Sequence, residues 1–174
     1  MYDLYKSNYD DSVRYILGKD GSKKMFVIGL NPSTASKEKS DITVSKVERV
    51  AKNNNYNGFV MLNLYPLRST IPIKLPYKKN DRLIEENLEQ IINMVKKESE
   101  PHFWAAWGHN ITLRDYFLES LNIIYSSCSK LNAKWFNFGD LTNDGHPRHP
   151  SRLSYSWMFE DFNVIGYLSR FNCY

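Results

Sequence analysis

The sequence predicts an α/β fold of three layers, α/β/α, built on a central, mainly parallel four-stranded sheet. Three observations predict it. Short apolar runs alternate with segments of helical period along most of the chain, the pattern of successive βαβ units. The apolar runs are bounded by turn residues, as buried strands are. Each run then ends on a polar or glycine corner: Gly29-Leu30-Asn31-Pro32, Asn63, Gly108-His109, and the loop holding His149. In a parallel sheet these corners share the carboxyl edge, where open α/β sheets bind ligands.

Taken in order, Ser12 to Leu17 and Lys24 to Leu30 read as strands, with Asp20-Gly21 as the turn of a hairpin feeding the first core strand. Pro32 forces Asn31 out of the α region, so the chain must turn there. Asn31 is then either displayed at the strand end or spent on its own turn. After the polar loop Ser36 to Asp41, helical spacing runs from about Thr43 to Asn54, with Val44, Val47, Val50 and Ala51 on one face. Asp41 stands where a helix cap belongs, or offers an auxiliary acceptor for water. Phe59-Val60-Met61-Leu62 is a second strand, ending at Asn63. Pro66, Pro72 and Pro76 make Tyr65 to Lys79 a loop. A helix follows from Asn80 or Asp81 to Lys97, with Leu83, Ile84, Leu88, Ile91, Ile92 and Val95 as its apolar positions. Phe103 to Trp107 is a third strand, and Leu113, Tyr116, Phe117, Leu121 and Ile124 restore helical spacing. Lys134 to Phe138 is a fourth strand, and the aromatic stretch Tyr155 to Phe171 reads as a strand and a short helix.

No repeat, low-complexity block or linker interrupts the 174 residues, so residues 1–174 read as one domain, large enough to bury a core without staples. With 23 Lys and Arg against 19 Asp and Glu the chain is mildly basic, compatible with a polyanionic partner without demanding one. Cys128 and Cys173 alone cannot build a disulfide framework, a four-cysteine zinc site or an iron–sulfur cluster, and a reduced cytoplasmic protein is expected. The N-terminus lacks the apolar core of a secretory signal, and no apolar run approaches bilayer length, so no membrane association is expected. Asp144, His146 and His149 invite a metal reading. Pro147 and Pro150 make this a stiff loop without an evident fourth ligand, so neither metal nor other cofactor is assigned.

Four landmarks now stand in order, and with them the chain resembles the uracil-DNA glycosylase superfamily and, more closely, the DUF1643 family placed within it. Gly29-Leu30-Asn31-Pro32-Ser33 resembles the first glycosylase motif, in the Gly-Ile-Asn-Pro-Gly form of the mismatch-specific and thymine-DNA enzymes. Val60-Met61-Leu62-Asn63 resembles the strand whose terminal Asn reads the flipped base, and Trp107-Gly108 the end of the third core strand. His149-Pro150-Ser151-Arg152-Leu153-Ser154 is similar to the second motif, His-Pro-Ser-Pro-Leu-Ser. Asn31 through Arg68, and Asp144 to Pro150, look like the DUF1643 signature. The resemblance covers about residues 24 to 154.

Cutting an N-glycosidic bond leaves positive charge on the sugar and negative charge on the base, so a donor belongs at the base oxygen and an acceptor near the sugar. The base must first leave the stack. The resemblance implies that His149 is that donor, that Asn31 positions the attacking water, and that Asn63 reads the Watson–Crick edge. Gly29, Leu30 and Ser33 would line the base pocket with Tyr65 as the stacking aromatic. Ser151, Arg148, Arg152 and Arg68 would hold phosphates, and Leu153 would be the wedge that fills the vacated stack. The implied protein is a monomeric, monofunctional glycosylase acting on uracil in single- or double-stranded DNA. Two departures qualify it. The most active uracil-specific enzymes carry Asp and Tyr where this chain has Asn31 and Ser33, which implies slower hydrolysis and a pocket open to 5-substituted pyrimidines. Arg152 also replaces a proline of the wedge loop. A non-catalytic module binding nucleic acid or a modified base, an enzyme of free nucleosides or nucleotides, and a plain interaction domain are the competing readings.

Overall fold

The computed structural model describes residues 1–172; Cys173 lies outside them. One mixed sheet of seven strands forms the centre, in the order β1-β2-β4-β3-β5-β6-β7. The strands are β1 (Leu4–Ser7), β2 (Arg14–Lys19), β3 (Lys24–Gly29), β4 (Gly58–Asn63), β5 (His102–Ala105), β6 (Lys134–Phe138) and β7 (Phe159–Asp161). The helices are α1 (Ile42–Asn53), α2 (Asp81–Val95), α3 (Asp115–Cys128) and α4 (Val164–Ser169). β4, β3, β5 and β6 pair in parallel. β1 and β2 add antiparallel on one side and β7 on the other. The sheet is therefore larger and more mixed than the four strands expected.

The expected hairpin does not form. β2 and β3 are separated by β4, which pairs with both. All six residues of β4 are buried, so both of its edges need backbone partners inside the protein. The Asp20-Gly21 connection is opened to admit it. Asn57, just before β4, is gripped there: its Oδ1 accepts from the Lys23 N–H at 2.8 Å, and its own N–H donates to the Lys23 carbonyl at 3.1 Å.

Alternation along β3 sends successive side chains to opposite faces. Met25 and Val27 pack with Val44, Val47, Val50 and Ala51 of α1, together with Met61 and Trp104. Phe26 and Ile28 pack on the other face, with Ile84, Ile91 and Val95 of α2 and Phe117, Leu121 and Ile124 of α3. Helices thus cover both faces, and both stripes are those that helical spacing predicts. The caps follow the same logic. The Val44 N–H donates to the Asp41 carboxylate at 2.9 Å and the Leu83 N–H to Asn80 Oδ1 at 3.3 Å, each satisfying an amide that a helix start leaves open. Among the described residues no helix is long and apolar enough to cross a membrane.

Candidate functional site

The carboxyl ends of β3, β4 and β5 and the loop after β6 meet at one cleft of about 1160 Å³. Gly29, Leu30, Asn31 and Ser33 enter it from β3, Asn63 from β4, Trp107 to Asn110 from β5, and Arg148 to Arg152 from the loop after β6. The start of α1 closes one side. Lys46 of that helix donates to the Ser151 carbonyl at 2.6 Å, tying α1 to the His149 loop.

Each of the three central side chains keeps at least one polar atom without a protein partner. Asn31 is half-buried, and its Nδ2 donates to the Ser69 carbonyl at 2.8 Å and the Pro32 carbonyl at 3.0 Å. Both amide protons are thereby used, and Oδ1 is left as a free acceptor. Asn63 is 2% exposed and its Nδ2 has no partner. Its place depends on Gly29: a Cβ there would stand 3.0 Å from Asn63 Oδ1. Asn87 of α2 donates to the Asn63 backbone carbonyl at 2.8 Å, holding the strand end from behind.

His149 begins a 3-10 turn, Pro150–Arg152. Its Nδ1 accepts from the Ser151 N–H at 3.3 Å and lies 2.8 Å from the Ser151 hydroxyl. A backbone N–H can only donate, so Nδ1 carries the lone pair and the neutral ring carries its proton on Nε2. Burial pushes the pKa of His149 down, partly opposed by the charge of Asp41 and reinforced by that of Arg152. At neutral pH the ring is an uncharged N–H donor at the cleft. Gly108 makes room for it: with φ of +71° it adopts a conformation that side chains disfavour, and a Cβ there would lie 3.2 Å from His149 Cβ.

Cations dominate the lining. Arg14, Lys39, Lys46, Arg148 and Arg152 face a single carboxylate, Asp41, which is engaged in capping α1. Arg148 is braced against the ring of Trp157 and donates through Nε to the Asp140 carbonyl at 2.7 Å.

Three residues proposed from sequence lie elsewhere. Tyr65 is buried behind the sheet against Tyr116, with ring centroids 4.7 Å apart, and its hydroxyl accepts from the Asn80 N–H; it cannot stack on a ligand in the cleft. Leu153 is 9% exposed and packs in the core cluster of α1 rather than projecting as a wedge. Arg68 is a staple: it donates to the carbonyls of Ser33 and Ala35 and pairs with Asp11 at 3.0 Å, fixing the loop that follows Asn31. His146 is also buried, its Nδ1 2.7 Å from the Tyr167 hydroxyl, and among the described residues no cluster of three or more His, Cys, Asp or Glu converges as a metal site would require. Sequence reasoning passed over Arg14 and Asn87. Both carried a signal: an arginine inside an apolar β-run, and a polar residue in phase with Ile84 and Ile91 on the buried stripe of a helix.

Residues 14–151 match the model of a family described as a protein of unknown function, DUF1643. The chain belongs to the DUF1643 family. The matched span holds all four strand ends of this DUF1643 protein and every cleft residue named above except Arg152. No curated protein and no solved structure matches the DUF1643 chain. Its resemblance to the glycosylase superfamily therefore rests on the motifs themselves.

Proposed function

We propose that this protein is a DNA glycosylase of the uracil-DNA glycosylase type, hydrolysing the bond between deoxyribose and a flipped-out uracil. The observation that carries this reading is the meeting of Asn31, Asn63 and His149 at one cleft, each with at least one unpartnered polar atom. In the proposed reaction His149 Nε2–H donates to the uracil O2 as the C1′–N1 bond breaks and its electron pair moves onto the base. The Asn31 Oδ1 accepts from the water that attacks C1′. The water's hydroxyl is added to the sugar, and its proton leaves with the departing uracil. The Asn63 amide, which can both donate and accept, pairs with the N3–H and O4 edge. A neutral donor suits this step, because a hydrogen bond to the oxygen that gains charge strengthens in the transition state. The cationic lining supports a polyanionic substrate.

A second reading keeps the chemistry and changes the substrate to a free nucleoside or nucleotide. It is favoured by the positions of Leu153 and Arg68, which are engaged in the core and in a loop staple rather than presented to a duplex. One panel separates the two readings. Oligonucleotides carrying uracil, thymine mismatches or 5-substituted pyrimidines are scored for abasic sites by alkaline cleavage, beside deoxyuridine and its monophosphate scored for free uracil. Release from oligonucleotides supports the glycosylase; release from the small substrates alone supports the second reading; release from none refutes both.

A further inference from the structure

The buried cation of the cleft wall forms no ion pair among the described residues. Arg14 opens β2, lines the cleft and is 2% exposed. Its backbone N–H donates to the Pro66 carbonyl at 2.9 Å, which holds it beside the end of β4. Its guanidinium makes one hydrogen bond, from Nη1 to the Ala35 carbonyl at 2.9 Å, and its Nε is buried with no partner. Arg68 donates to that same carbonyl, also at 2.9 Å, and it is Arg68 that takes the Asp11 carboxylate. Two guanidinium groups therefore converge on one carbonyl with one carboxylate between them, and Arg14 is the one left over. Burial first, and then the charge of Arg68, push its pKa down to about 10, which still leaves it charged at neutral pH. A buried charge without a partner is costly, and a fold that needed only the Ala35 contact would be served by a neutral donor.

We infer that Arg14 anchors a phosphate site, and that this site takes a terminal phosphate monoester. The guanidinium fork matches two phosphate oxygens, and the hydroxyls of Ser33 and Thr34, adjacent in sequence to Ala35 and also lining the cleft, supply further donors. A terminal monoester is favoured over a backbone diester by depth. An internal diester carries chain on both sides and must bring both to a group that is almost wholly buried, whereas a monoester enters end-on. This site stands whether or not the cleft breaks a glycosidic bond, and its test reads binding rather than turnover.

The test uses inorganic phosphate as probe against sodium chloride at matched ionic strength, by thermal shift and calorimetry, on the wild type, Arg14→Met and Lys97→Ala. Lys97 is an exposed lysine outside the cleft and reports general charge effects. The expected result is a dose-dependent rise in Tm for the wild type and Lys97→Ala. Arg14→Met melts no lower than the wild type without phosphate, and binds phosphate more weakly by about tenfold or more, the value of a charged hydrogen bond or two. Deoxyuridine monophosphate displaces phosphate, and a 5′-hydroxyl oligonucleotide with internal diesters only does not. The proposal is overturned if wild-type phosphate and chloride responses coincide, or if Arg14→Met keeps the wild-type affinity. It is also overturned if the oligonucleotide displaces phosphate as well as the monophosphate does. Should Arg14→Met fail to fold, the wild-type phosphate response and its displacement decide the matter on the same criteria.

Discussion

Replacing Asn63 by Ala separates a side chain held for function from one held for structure. The Asn63 amide makes no hydrogen bond through its side chain within the protein, and its Nδ2 is buried without a partner. An unsatisfied buried donor costs about 1–3 kcal/mol, which the substitution returns. Against this stands lost packing of about the same size for a small side chain at a site already next to open space. The two nearly cancel, so the expected change in unfolding free energy is within about 1 kcal/mol, or a Tm shift of roughly 2–4 °C in either direction. Asn137 is the control. It is equally buried, but its Nδ2 donates to the Gly139 carbonyl at 2.8 Å, so Asn137→Ala strands that carbonyl and costs about 1–3 kcal/mol. Activity should divide the other way: Asn63→Ala loses about ten- to a hundredfold in kcat/KM for uracil release, and Asn137→Ala, outside the cleft, loses little. Urea unfolding and steady-state kinetics on the same preparations measure both. An Asn63→Ala variant that loses as much stability as Asn137→Ala and keeps kcat/KM unchanged would show that Asn63 is held for structure.

Further expectations follow from named contacts. His102, His146 and His149 all have pKa values lowered by burial, so the unfolded chain binds more protons than the folded one in the acid range. Their stabilisation is complete above about pH 6.5 and is lost as pH falls through the folded values, so urea midpoints should drop from pH 7.5 toward pH 5; a flat profile contradicts this. Asp41→Ala removes the cap of α1 and should cost about 0.5–2 kcal/mol, with Asp41→Asn recovering most of it in thermal unfolding. Arg68→Ala releases the carbonyls of Ser33 and Ala35 and should cost about 1.5–3 kcal/mol, while leaving the salt slope of DNA binding unchanged, because Arg68 is not available to a phosphate. A slope reduced by about one in a binding titration would return Arg68 to the nucleic-acid surface.

What the sequence made legible, and what it did not, divides by range of interaction. Caps and helix stripes are local, and Asp41, Asn80 and the valines of α1 stand where spacing puts them. The convergence of Asn31, Asn63 and His149 was also readable, because parallel strands must share a carboxyl edge. Strand order was not readable: an Asp-Gly turn says that the chain reverses, and nothing local says that β4 will be inserted between β2 and β3. Tyr65 and Leu153 were misplaced for a related reason. Each follows a cleft residue closely, but the alternation of β4 stops at Asn63, so that Leu64 and Tyr65 both enter the core under α2 and α3, and the 3-10 turn after His149 brings Leu153 into the core under α1. Arg14 was passed over because one arginine in an apolar run looks like the edge of a strand until the structure shows that no carboxylate meets it.

The central claim is that an uncharged His149 donates to a departing pyrimidine, and steady-state release of uracil from an oligonucleotide by wild type and His149→Ala tests it most directly. The wild type should turn over repeatedly, and His149→Ala should lose about a hundredfold or more in kcat while staying folded. Equal turnover by the two proteins, or abasic product from neither, would contradict the claim.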